Sequence, residues 1–272
     1  MLTTKFVPAE SSTEKPTLVF LHGLLGCSND WLQVSEQLSD YNRLFIDLPG
    51  HGTSRDSIVT GFDDTCKMIA GAIAESPAQQ SPILLVGYSL GARLLMYGIV
   101  NSYFASVKVV GCVVEGGNFG LTSQSEKQLR LQNDQRWAEC FTDKPMTHVL
   151  QKWYQQPVFV SLTDRQRAHL VEQRQDNSGV AIGRMLLATS LAKQPFLLDR
   201  LLQYKMYFHY VCGENDLKFY QLATSSGLVF TAIKEAGHNV HHEQPAQFAS
   251  LIRTQTEQFI TNWNESWQEP SE

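Results

Sequence analysis

This chain lacks the features that would commit it to a nucleic acid, an oxidising compartment or a bilayer. Its 272 residues carry 22 Lys and Arg against 27 Asp and Glu, a formal net charge of −5. No basic face is implied, so nucleic-acid binding is not expected. The 5 cysteines (Cys27, Cys66, Cys112, Cys140, Cys212) are odd in number and scattered, without metal-ligand spacing. No metal and no organic cofactor is indicated. Cys112 and Cys212 lie inside apolar runs and read as buried thiols in a reducing compartment. No stretch is long and apolar enough to cross a membrane, and Met1 to Lys15 is polar, without the apolar centre of a signal peptide. The expectation is a cytoplasmic protein with no membrane partner. What is present, 43% hydrophobic and 18% charged residues, suffices for a sizeable core in one or two domains.

The first part of the chain alternates apolar runs with helical stretches. Strands are expected over Thr17-Leu18-Val19-Phe20-Leu21, 42–48, Ile83-Leu84-Leu85-Val86 and 107–114, with helices near 30–38 and 63–75. Such runs, each followed by a helix, predict a parallel sheet covered on both faces. From 118 to 202 the strand runs disappear and the segment reads as several helices. The alternation then resumes with strands near 206–212 and 228–234 and a closing helix from Pro245. The organisation predicted is a core of 1–117 and 203–272 with a helical cap, 118–202, over the carboxyl ends of the strands, where such sheets bind ligands.

Gly87-Tyr88-Ser89-Leu90-Gly91 sits between an apolar strand and a run of helix formers. A serine flanked by glycines at such a turn is a nucleophile elbow: the glycines leave room, and the serine is exposed at the end of the sheet. A serine hydroxyl near neutral pH needs a histidine, and the histidine a carboxylate. His238, in Ala236-Gly237-His238-Asn239, follows the last strand and so reaches the same end of the sheet; His241 and His242 read as solvent-facing or capping. Asp216 closes Cys212-Gly213-Glu214-Asn215-Asp216, and the order Ser89, Asp216, His238 is the one this architecture uses. Glu214 and Glu115 are rivals for the acid. The backbone N–H groups of Leu90 and of Leu24, in His22-Gly23-Leu24-Leu25-Gly26, are placed as oxyanion donors. Arg93 lies one helical turn beyond Ser89 on nearly the same face, either on the pocket floor or paired elsewhere. Cap arginines, among them Arg130, Arg136, Arg174 and Arg184, are further sources of positive charge.

These marks, with Asp47-Leu48-Pro49-Gly50-His51-Gly52-Thr53-Ser54, resemble the α/β-hydrolase superfamily over nearly the whole chain. Four segments in order resemble one group within it more closely. They are the elbow continued through Ala92-Arg93, Val114-Glu115-Gly116-Gly117, Trp153-Tyr154-Gln155-Gln156-Pro157-Val158-Phe159, and Leu170-Val171-Glu172-Gln173-Arg174. The group is the menaquinone-pathway synthases that form 2-succinyl-6-hydroxy-2,4-cyclohexadiene-1-carboxylate by eliminating pyruvate from an enolpyruvyl precursor. The resemblance implies a small polycarboxylate substrate held by Arg93, Arg130 and Arg174, with Arg136 a rival for Arg130, and Tyr88 and Trp153 lining the pocket. It also implies a triad that abstracts a proton. The alternative is a carboxylesterase or thioesterase working through an acyl-serine; a ligand-binding member of the fold without chemistry is a third reading.

Overall fold

The computed structural model describes residues 1–10, 15–204 and 206–266. Seven strands form one sheet in the order β1-β3-β2-β4-β5-β6-β7. They are β1 (Thr4–Val7), β2 (Thr17–Leu21), β3 (Arg43–Ile46), β4 (Ile83–Tyr88), β5 (Val109–Glu115), β6 (Tyr207–Gly213) and β7 (Phe230–Ile233). All neighbouring pairs are parallel except β1 with β3, which is antiparallel with Thr4 opposite Ile46. The polar amino terminus conceals β1. Its four residues are mostly half-exposed, and only pairing with β3 makes them a strand.

The inner strands are apolar throughout because both faces are covered. Leu18 and Phe20 point to one side, where they pack with Trp31, with Val34 of α1 (Leu32–Glu36), and with Phe248 and Ile252 of α11 (Pro245–Ser266). Val19 and Leu21 point to the other, against Ile69 of α2 (Phe62–Ala74) and Leu95 of α3 (Leu90–Val100). Burying these side chains contributes roughly 1.5–3 kcal/mol each.

Between β5 and β6 the chain forms five helices: α4 (Gln124–Asp143), α5 (Met146–Trp153), α6 (Asp164–Arg174), α7 (Gly179–Ala188) and α8 (Leu198–Gln203). Helices α4 to α7 and their connections share an apolar cluster that includes Phe141, Leu150, Tyr154, Phe159 and Ile182, and Leu25 from the loop after β2 inserts into it. One loop of the sheet is thereby packed into the helical segment. Two short helices, α9 (Leu217–Thr224) and α10 (Val240–Glu243), follow β6 and β7.

Candidate active site

β4 ends in a turn that places Ser89 at φ 48°, ψ −102°, a conformation costly for a residue with a side chain. The surroundings hold it there. Its N–H donates to the Glu115 carbonyl at 2.8 Å, and its own carbonyl accepts the Arg93 N–H at 3.0 Å. A Cβ at Gly91 would stand 2.4 Å from the Leu21 carbonyl oxygen, and one at Gly87 2.8 Å from the Gly91 carbonyl carbon. Both glycines are therefore required by close backbone approach, which is the steric demand an elbow makes.

Asp216 follows β6 and does two things. One carboxylate oxygen caps α9 by accepting the Phe219 N–H at 3.4 Å, and the other lies 2.7 Å from His238 Nδ1. Both side chains are buried. This bond makes Nδ1 the donor and leaves Nε2 as the free basic nitrogen. The imidazole is enclosed by Phe219, Tyr88 and Phe159, with ring centroids at 4.6, 5.3 and 6.1 Å. It comes within 2.8 Å of where a Cβ on Gly116 would lie (φ +58°). Gly116 directly follows Glu115, whose carbonyl holds the Ser89 N–H, so the imidazole lies beside the strand end that fixes the serine backbone. No hydrogen bond joins Ser89 Oγ to His238 among the described residues, a contact that commonly tightens only around substrate.

Neither rival acid serves His238. Glu214 is exposed. Glu115 is fully buried and pairs with His241, whose Nδ1 lies 2.9 and 2.8 Å from its two carboxylate oxygens. Burial drives both groups toward their neutral forms, pushing Glu115 up to about 8 and His241 down to about 3. The expectation that His241 and His242 face solvent or merely cap a helix is corrected here. His241 packs at 4.5 Å against both Tyr88 and Trp31, and His242 stacks on it at 4.4 Å. Position in a polar run concealed a tertiary role.

The oxyanion candidates stand at the same end of the sheet. Neither the Leu90 N–H, at the first position of α3, nor the Leu24 N–H has a partner among the described residues. Two histidines shape the Leu24 loop. His22 Nε2 accepts the Leu48 N–H and His51 Nε2 accepts the Leu25 N–H, each at 3.0 Å. An accepting nitrogen must be unprotonated, and burial lowers both pKa values, that of His51 to about 3.

The three arginines differ. Arg93 is buried, with Nε on Gln194 Oε1 at 2.7 Å and Nη2 on the Thr189 carbonyl at 2.6 Å, and among the described residues no carboxylate pairs with it. Burial first, and then the charge of Arg130, lower its pKa to about 9. A cation so placed favours an anion. Arg130 binds Asp134 through Nε at 2.8 Å, and Asp134 also accepts from Ser190 at 2.7 Å. Arg174 is buried against Asp30 at 2.8 Å, with Nε and Nη1 unpartnered among the described residues. Its charge is locally compensated, and Asp30 keeps its carboxylate ionised despite burial.

Tyr88 is buried between His238 and His241, its ring packed on both imidazoles. Trp153 packs edge-on against Trp137 at 4.9 Å and against Phe141 at 5.4 Å, within the helical cluster. The residue of that segment that meets His238 is Phe159. Sequence reasoning passed over Phe159 and Phe219 as ring walls. Phe219 had a usable signal, since three residues after a helix-capping acid its ring turns back over the first turn.

Residues 18–251 match the alpha/beta hydrolase family, and the chain belongs to it. It belongs within that family to the 2-succinyl-6-hydroxy-2,4-cyclohexadiene-1-carboxylate synthases. A synthase of that name from Yersinia enterocolitica is 43% identical over 245 residues, spanning 90% of this chain and 88% of the relative. Another, from Serratia proteamaculans, is 40% identical over 253 residues, spanning 93% and 97%. Among solved structures, MenH from S. aureus superposes with a TM-score of 0.85 at 24% identity, over 94% of this chain and 98% of that one. A carboxylesterase of the thaumarchaeon Nitrososphaera gargenis does so at 0.78 and 13% identity, over 96% of each. Likeness at these identities speaks for the fold alone, which hosts both chemistries.

Proposed function

We infer that this chain eliminates pyruvate from 2-succinyl-5-enolpyruvyl-6-hydroxy-3-cyclohexene-1-carboxylate, giving 2-succinyl-6-hydroxy-2,4-cyclohexadiene-1-carboxylate. The observation that carries the reading beside the family is Arg93: a buried cation with no carboxylate partner among the described residues, one helical turn from Ser89, in a protein of net negative charge. A neutral ester needs no such group; a polycarboxylate does.

His238 Nε2 takes the Ser89 proton, and the serine oxygen removes the ring proton made acidic by the succinyl ketone. The C–H electron pair becomes a double bond to the succinyl carbonyl carbon, and the carbonyl pair moves to the enolate oxygen, which is held by the Leu90 and Leu24 N–H groups. As the enolate collapses, a double bond forms between ring carbons 2 and 3, the existing one shifts from carbons 3 and 4 to carbons 4 and 5, and the C–O bond from carbon 5 to the enolpyruvyl group breaks. The group leaves as the enolate of pyruvate and takes up a proton. Asp216 keeps His238 in the useful tautomer and stabilises its cationic form. Arg93, Arg130 and Arg174 hold the carboxylates, and Tyr88 and Trp153 line the pocket. Residues 118–202 act as a cap over a core of 1–117 and 203–272. The reading is of a cytoplasmic enzyme; among the described residues no helix is long and apolar enough to cross a membrane.

The test is pyruvate release from the enolpyruvyl precursor, followed through a coupled dehydrogenase. Rapid release by the wild type, lost in Ser89→Ala with no covalent serine adduct on the wild type, supports the reading. A trapped acyl-serine, or turnover of simple esters without pyruvate release, makes the protein a hydrolase.

A further inference from the structure

We propose that Glu243 is a positioning residue for His238, its carboxylate fixing the loop that carries the base and tying that loop to the helical segment. The proposal rests on the triad argued above and not on the substrate the triad serves. His238 stands between β7 and α10, in a stretch that is neither strand nor helix. The backbone amides of such a stretch need acceptors from elsewhere. The Gly237 N–H donates to Glu243 Oε2 at 3.0 Å, and the Asn239 N–H donates to Oε1 at 3.2 Å. The amides on either side of His238 therefore end on one carboxylate. The Glu243 N–H closes the ring by donating to the Asn239 carbonyl at 2.8 Å.

The same carboxylate reaches the connection between α5 and α6. Ser161 Oγ lies 3.5 Å from Glu243 Oε1. A Cβ on Gly237 would stand 1.8 Å from that hydroxyl oxygen and 3.2 Å from Glu243 Oε1, which is why a glycine stands before the histidine. Phe159, two residues before Ser161, meets the His238 ring edge-on at 6.1 Å. The base is thus held from three sides: by Asp216 on Nδ1, by Phe159 against the ring, and by Glu243 on the backbone.

The bond to Gly237 is not helix capping. Gly237 lies two residues before Asn239, which heads α10, and Glu243 is the last residue of that helix. What the carboxylate orients is the peptide on each side of the base. Two amides and a hydroxyl converge on it, a set of donors that an ionised carboxylate, accepting on both oxygens, satisfies in full. Burial raises the Glu243 pKa, and the Gly237 and Asn239 N–H groups pull it back toward the charged form. A glutamine of the same shape keeps one acceptor oxygen and turns an NH2 group toward the remaining N–H. A displaced peptide carries the imidazole with it, and a small misplacement of a base is costly in rate.

The experiment compares wild type, Glu243→Gln and Glu243→Asp in pyruvate release and in the rate at which phenylmethanesulfonyl fluoride labels Ser89. Labelling needs the base but not the substrate. In Glu243→Gln the expected kcat is about ten- to thirtyfold lower with KM within about twofold of wild type, and labelling slows in the same proportion. Glu243→Asp, with two acceptor oxygens on a shorter stem, falls between wild type and Glu243→Gln in both rates. A Glu243→Gln variant with kcat and labelling within about twofold of wild type overturns the proposal. Slower release with unchanged labelling also overturns it, placing Glu243 on the substrate instead. Should Glu243→Gln fail to fold, Glu243→Asp decides by the same two rates. A wild type labelled at Ser89 that releases no pyruvate overturns the substrate reading alone. Labelling that survives His238→Ala overturns the triad, and this proposal with it.

Discussion

Glu115 holds the backbone of the nucleophile and the side chain of His241 at once. Its carbonyl accepts the Ser89 N–H at 2.8 Å, and its carboxyl lies 2.8 Å from His241 Nδ1. His241 in turn packs on Tyr88, the residue before the serine. Glu115→Gln keeps the volume and a neutral hydrogen-bonding group. It should leave the melting temperature almost unchanged and kcat/KM within about threefold of wild type. Glu115→Ala strands a buried ring nitrogen and opens a cavity, and should cost about 2–4 kcal/mol in denaturant unfolding. Equal losses from both substitutions would mean that the carboxylate charge, not the neutral pair, supports the site.

Asp216 separates a catalytic from a structural contribution. Asp216→Asn retains an acceptor for the α9 cap but offers His238 the wrong tautomeric partner, so kcat should fall about 10²–10⁴-fold with little change in stability. Asp216→Ala should show the same rate loss and a further ~1 kcal/mol of destabilisation from the lost cap. Chemical denaturation read beside pyruvate release resolves the two effects.

Gly91→Ala tests the elbow. The added methyl would meet the Leu21 carbonyl at 2.4 Å and the His22 carbonyl at 2.7 Å. Relief requires α3 to move away from β2, carrying the Leu90 and Leu24 amides apart. Stability should drop by about 1–3 kcal/mol, with kcat falling further than that loss alone explains. A variant with wild-type kcat would show that the elbow has slack.

Acid should destabilise the fold through its buried histidines. In the folded protein His51 is pushed down to about 3, below its ordinary 6.5, because it is buried and accepts the Leu25 N–H. Between those values the unfolded chain binds a proton that the folded chain does not. The contribution of neutral His51 is therefore complete above about pH 6.5 and is lost as the pH falls toward 3, by up to ~1.4 kcal/mol per pH unit. Melting temperatures should be flat near pH 7–8 and decline below pH 6. His51→Gln should melt lower at pH 7.5 and decline less steeply. A steeper decline in the variant would assign the acid sensitivity elsewhere.

The elbow, the parallel strands and the pairing of Asp216 with His238 were legible because each follows from a local rule. Gly-x-Ser-x-Gly imposes its own turn, continuous apolar runs mark strands covered on both faces, and loops after parallel strands all open at one end of the sheet. Chain order then brings Ser89, Asp216 and His238 into one neighbourhood. Tertiary structure alone decided matters that depend on groups from distant parts of the chain meeting. It set Arg174 against Asp30 and clamped Arg93 between Thr189 and Gln194. It buried His241 on Glu115 and turned four amino-terminal residues into an edge strand on β3. Periodicity says which face of an element is apolar; it does not say which charge on another element will be waiting there. An arginine in sequence is therefore only a cation, and packing settles whether a protein carboxylate or a substrate neutralises it.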